Sequence, residues 1–206
     1  MRRFFFIVAV ATWLASPAAA GNMITGAITS QPVGHFNFCK SYPAECDIWP
    51  EDQGPLPLTS KKWRLIVSVN TTVNRLIRPM SDYDIFGQEE VWSYPVLNPH
   101  IVNSKELVGD CEDYALEKRR RLHMAGISLA NLLITVVRKI DGEGHAILTV
   151  RTDKGDFILD NLTQEVKSWR DTPYTFLKRQ SSYRARAWEN LDNTRYLVTT
   201  NDQQSR

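Results

Sequence analysis

One thiol stands in a knot of carboxylates: Gly109-Asp110-Cys111-Glu112-Asp113, with Glu117 close behind. A cysteine in the first turn of a helix can be a nucleophile, because the helix dipole and the unpaired N–H groups favour the thiolate. Asp110 suits the N-cap, and Asp113 three residues on approximates a capping box. The same residue also fits a small apolar side chain on the buried face of that helix, and the local sequence does not choose between the two. The acids work against activation, since each raises the thiol pKa. A hard cation on oxygen ligands would offset them, and Ca²⁺ is the natural one outside the cytoplasm. Acids that complement the helix dipole explain the same spacing, and by spacing alone explain it better. No Cys/His spacing suits zinc.

A thiol nucleophile needs a base, and the base needs a group that holds its tautomer. The chain has four histidines. His123 lies twelve residues along the Cys111 helix, about 18 Å away at helical rise, and is out of reach. His35 falls in an N-terminal loop region, where a lone histidine is more often structural. His100 precedes the helix and stays open. His145 opens an apolar run in Gly144-His145-Ala146-Ile147-Leu148, where a base at a sheet end would face a helix N-terminus. Asp160 closes the apolar run Phe157-Ile158-Leu159 and is the candidate orienter. A tight turn at Asp153-Lys154 sets Asp160 opposite Ile147 rather than His145, so the pair is diagonal and a bulge or strong twist is expected between them.

The elements that must carry these residues follow from periodicity. Residues 60–77 read as a helix capped by Ser60, with Trp63, Ile66, Val67, Val73 and Ile77 near one stripe and Pro79 ending it. Residues 81–103 are mixed and loop-like. The Cys111 helix runs to Ala125, and Gly126 ends it. Arg119-Arg120-Arg121 on that helix reads as a solvated face. Strands follow over 132–140, 145–151 and 156–162, separated by turns. Residues 183–188 and 195–199 are further strand candidates. Helices first and an antiparallel sheet after give an α+β class.

The 206 residues allow one ordinary domain, and a net charge of +2 without basic runs gives no case for nucleic acid. Residues 1–20 read as a signal peptide: Arg2-Arg3, a short apolar run, then Ala18-Ala19-Ala20 before Gly21. The run is too short to span a bilayer comfortably, so no stable membrane insertion is expected after cleavage. Residues 21–59 form an irregular arm, and residues 60–200 the main domain. In an oxidising compartment Cys39 and Cys46 are the natural disulfide, which leaves Cys111 as the odd thiol.

The blocks Gly109-Asp110-Cys111-Glu112-Asp113-Tyr114-Ala115, Gly144-His145-Ala146-Ile147-Leu148 and Leu159-Asp160-Asn161-Leu162 resemble those of the bacterial transglutaminase-like cysteine proteinases, the family of LapG-type periplasmic proteases that cut biofilm adhesins. The resemblance runs from about Trp92 to Trp169. It implies a papain-like or transglutaminase-like fold with N-terminal helices packed on the sheet, and a triad of Cys111, His145 and Asp160. It also implies calcium at Asp110, Glu112 and Asp113, a periplasmic or secreted location, and a protein substrate such as a surface adhesin. An inner-membrane regulatory receptor would be in keeping with it. Trp92-Ser93-Tyr94-Pro95 is similar to the family's Trp-x-x-Pro, but its connection to Cys111 is longer. The Cys39–Cys46 pair lies outside the family pattern. An amidase or amide-transferring enzyme on the same triad, and a non-catalytic calcium-dependent binding module, are the alternatives.

Overall fold

The computed structural model describes residues 21–191. In chain order its elements are β1 (Thr25–Thr29), α1 (Val33–Ser41), α2 (Pro43–Cys46), α3 (Ser60–Leu76), β2 (Ile77–Pro79), α4 (Asp82–Phe86), β3 (Val96–Leu97), β4 (Leu107–Gly109), α5 (Cys111–Met124), β5 (Leu132–Arg138), β6 (Gly144–Thr152), β7 (Gly155–Leu159), β8 (Lys167–Ser168), β9 (Thr175–Gln180) and β10 (Trp188–Leu191). Seven strands form one antiparallel sheet in the order β1-β10-β9-β5-β6-β7-β8. The α+β expectation therefore stands, with helices α3 and α5 packed on each other and α5 on β5 and β6.

Period-two alternation divides the sheet into two buried faces. On β6, Ala146, Leu148 and Val150 join a core with Leu116 and Leu122 of α5 and Ile66 of α3. Ile147 points the other way, into a second core with Ile158, Trp169 and Phe176. Helix α3 is capped by Thr59, not Ser60: the Thr59 hydroxyl accepts from the Lys62 amide, and Ile66, Asn70 and Val73 form its buried stripe. Ile77 and Pro79, expected to end that helix, continue as β2.

A small second sheet, β2-β4-β3, does the positioning that matters most. Strands β2 and β4 are parallel, pairing Ile77 with Leu107 and Pro79 with Gly109, and the Met80 amide donates to the Gly109 carbonyl. Residues 80–82 are thereby carried alongside 110–112.

Several sequence expectations need correction. Residues 21–46 are more regular than expected: β1 closes one edge of the main sheet against β10, and α1 packs Phe38 and Cys39 into the core, while 47–59 carry no helix or strand. Its partners are distant in the chain, Leu191 for Thr25 and Trp92 for His35, so local periodicity cannot reveal them. Residues 183–187 are loop, while β9 and β10 carry the strand pairing there; residues 195–199 lie outside the described residues. Arg119 is buried, with Nε donating to the Leu132 carbonyl and a guanidinium nitrogen 3.6 Å from Glu45. Only Arg120 and Arg121 keep the solvated face, both paired to Glu117. The Cys39–Cys46 disulfide is present, and Cys111 is the free cysteine.

Candidate active site

Cys111 is the first residue of α5, whose amides in that turn have no intrahelical partner. Asp110 occupies the N-cap position, but its side chain makes no capping bond, so the expected capping box is absent. The Cys111 thiol donates to Glu112 Oε2 at 3.0 Å and accepts from the Ala146 amide at 3.4 Å. Helix α5 thus aims its first residue at the opening of β6. Burial and the Glu112 carboxylate push the thiol pKa well up.

His145 is buried, and its Nε2 lies 2.9 Å from Asp160 Oδ1. A carboxylate only accepts, so Nε2 carries the hydrogen and Nδ1 is left as the basic nitrogen. The ladder register matches the tight-turn expectation, with Leu148 opposite Leu159 and hence Asp160 just past the strand opposite Ile147. No bulge interrupts β6–β7. The expected distortion is not needed, because a diagonal neighbour on one face lies within reach of an imidazole.

Asp160 is held from several sides. Oδ1 also accepts from the Leu162 amide at 3.0 Å, and Oδ2 accepts from the Tyr174 hydroxyl at 2.5 Å. Its carbonyl accepts from Asn74 Nδ2 on α3 at 2.8 Å. Burial alone would raise this carboxyl, yet the bonds from His145, Leu162 and Tyr174 hold it below the usual range.

Cys111 and His145 open into one cleft of about 500 Å³, walled by Pro32, Val33, Trp92 and Lys178. The N-terminal arm therefore supplies one wall of it. The other histidines are elsewhere: His35 is buried among Phe38, Trp92 and Trp188, His123 meets the Ile127 carbonyl after α5, and His100 meets the Asp84 carbonyl.

Beside the thiol, Asp82, Asp110 and Glu112 bring one carboxylate oxygen each to within 4.8 Å of one another. Asp82 Oδ1 and Asp110 Oδ1 are buried without a hydrogen-bond partner. Burial, with the charges of Glu112 and Asp82, pushes Asp110 up, and burial with the Asp113 charge pushes Glu112 up. An all-oxygen donor set with orphaned atoms fits a hard cation. Asp113 lies outside this trio by distance: its Oδ1 accepts from the Ser93 amide at 2.9 Å and fastens the segment after Trp92, while its Oδ2 is buried without a hydrogen-bond partner. Sequence spacing missed Asp82, because it falls in the stretch 81–103 that reads as mixed and loop-like, and only the parallel β2–β4 pairing brings it to Asp110.

Comparison with known proteins gives three results. No curated protein matches the chain. Three solved structures of Legionella pneumophila LapG are similar to it. The calcium-bound form is 23% identical with a TM-score of 0.46, covering 57% of this chain and 64% of that one. A second LapG structure is 21% identical with a TM-score of 0.48, covering 68% and 76%. An EGTA-treated form is 20% identical with a TM-score of 0.47, covering 66% and 74%. The chain spans less than two thirds of the calcium-bound LapG. A family profile, by contrast, matches residues 25–196 without a break, taking in β1, the cleft and every residue of the site described above. The chain belongs to the bacterial transglutaminase-like cysteine proteinases.

Proposed function

We propose that this protein is an exported cysteine peptidase in which Cys111 is the nucleophile, His145 the general base and acid, and Asp160 the orienter. The observation that carries this reading is the Asp160–His145 bond at 2.9 Å, which leaves Nδ1 as the basic nitrogen of a histidine that lines the same cleft as the free thiol. His145 Nδ1 takes the thiol proton, and the sulfur adds to a peptide carbonyl. The unpartnered Cys111 amide at the start of α5 faces the developing oxyanion. The C–N bond then breaks as His145 returns the proton to the leaving amine, which leaves a thioester on Cys111. Water, deprotonated by His145, hydrolyses that thioester and restores the thiol.

Asp82, Asp110 and Glu112 would hold a Ca²⁺ ion. When bound, it supplies positive charge that offsets the carboxylates raising the thiol pKa. Asp113 supports the site by fixing the Ser93 segment rather than by ligation. Residues 1–20 direct export, to the periplasm or beyond. Among the described residues no helix is long and apolar enough to cross a membrane. The open cleft suits an extended segment of another exported or surface protein, of which an adhesin is one example.

The test is cleavage of a peptide library by the mature protein with calcium, against Cys111→Ala. Cleavage lost in the variant supports the peptidase. No cleavage, with transfer of the acyl group to an added amine, would make it an amide-transferring enzyme. Calcium binding with neither reaction would make it a binding module.

A further inference from the structure

We propose that Tyr174 is the positioning residue of this site: its hydroxyl fixes the rotation of the Asp160 carboxylate and its ring covers the His145–Asp160 pair. This rests on the peptidase reading. Asp160 is 3% exposed and presents two oxygens. Oδ1 serves His145 and the Leu162 amide, so Oδ2 depends on the Tyr174 hydroxyl at 2.5 Å. Without that donor, Oδ2 would be a buried acceptor with no partner, and the carboxylate would gain by turning it toward His145 or toward water. Either turn spoils the line from Oδ1 to Nε2 on which the tautomer depends.

The ring acts alongside the hydroxyl. Its centroid lies 5.7 Å from that of His145, tilted by 57°. A hollow of about 170 Å³ is lined by Leu162, Thr172 and Pro173 with Asp160 and Tyr174 themselves. Tyr174 and Asp160 share that hollow, so the phenol hydroxyl occupies the carboxylate oxygen that water entering there would otherwise reach. The phenol suits the task, because burial and the Asp160 charge raise its pKa and keep it a donor. The chain holds it in place: a single turn at Trp169–Asp171, fastened by the Thr172 hydroxyl to the Trp169 carbonyl, precedes it, and β9 begins at the next residue.

The test combines Tyr174→Phe, which keeps the ring, with proton NMR of the His145 Nε2–H, assigned by its loss in His145→Ala. In Tyr174→Phe the resonance should broaden through faster exchange with water. On a cleaved library peptide kcat should fall about tenfold with KM within twofold, since positioning acts on the chemical step. An unchanged resonance with kcat within twofold of wild type overturns the proposal. A second arm needs no Tyr174 variant: in protein with carbon-labelled tyrosine, Asp160→Asn should make one tyrosine ionise at lower pH than in wild type, and an unaltered set of tyrosines counts against the contact. If wild type cleaves no peptide, the peptidase reading falls while the resonance and tyrosine arms still decide the role of Tyr174.

Discussion

His145 and Asp160 meet across a diagonal of the β6–β7 ladder, at 2.9 Å, with no irregularity in the strand register. The contact depends on side-chain reach and on the bonds that pin the carboxylate, not on backbone distortion. Asp160→Asn keeps the shape but can present its amide to Nε2, which favours the wrong tautomer. It should lower kcat about a hundredfold with an unchanged circular dichroism spectrum, as measured on a cleaved library peptide.

The cation site makes a separate prediction in the Cys111→Ala background. Calcium should raise the thermal midpoint by several degrees over EGTA, because it binds only the folded carboxylate trio. Asp82→Ala should weaken calcium at least about tenfold by titration calorimetry, whereas Asp113→Asn should change affinity by less than about threefold. Equal losses in both variants would move the site toward Asp113.

Gly34 sits where a side chain has no room. A Cβ there would lie 2.2 Å from Trp92 Cδ1, and Trp92 lines the cleft and packs against His35 and Trp188. Gly34→Ala should cost about 1–3 kcal/mol by urea denaturation, from overpacking. It should also raise KM, since the displaced indole is a cleft wall.

His35 sets an acid limit. Burial, aided by the Arg119 and Arg186 charges, lowers its pKa from 6.5 to about 3. Between those values the unfolded chain binds the proton and the folded one does not. Stability contributed by neutral His35 is therefore present above pH 6.5 and lost as pH falls toward about 3, at up to about 1.4 kcal/mol per pH unit. His35→Asn should be less stable at neutral pH but show a shallower fall over that window in urea melts.

The chemistry-bearing residues were more legible in the sequence than the frame around them. Cys111, His145 and Asp160 each sit at the end of a periodic element, and even the ladder register followed from one tight turn. Asp82 and Tyr174 were not legible, because each reaches the site through pairing that periodicity does not encode: the parallel β2–β4 contact for one, the turn into β9 for the other. The Asp110 cap failed for a physical reason, as its carboxylate lies with Asp82 and Glu112 instead of on the α5 amides. Arg119 was misread because a run of like charges conceals which member faces the core.

The edge strand 25–29 is laid on strand 188–191, and the segment just after it supplies Pro32 and Val33 to the cleft. Those segments are synthesised at opposite times. A growing chain cannot seat strand 25–29 until strand 188–191 has emerged, so the cleft stays incomplete until then. Closure of that wall is thus set by topology, because it waits on the pairing of two strands from opposite ends of the described fold.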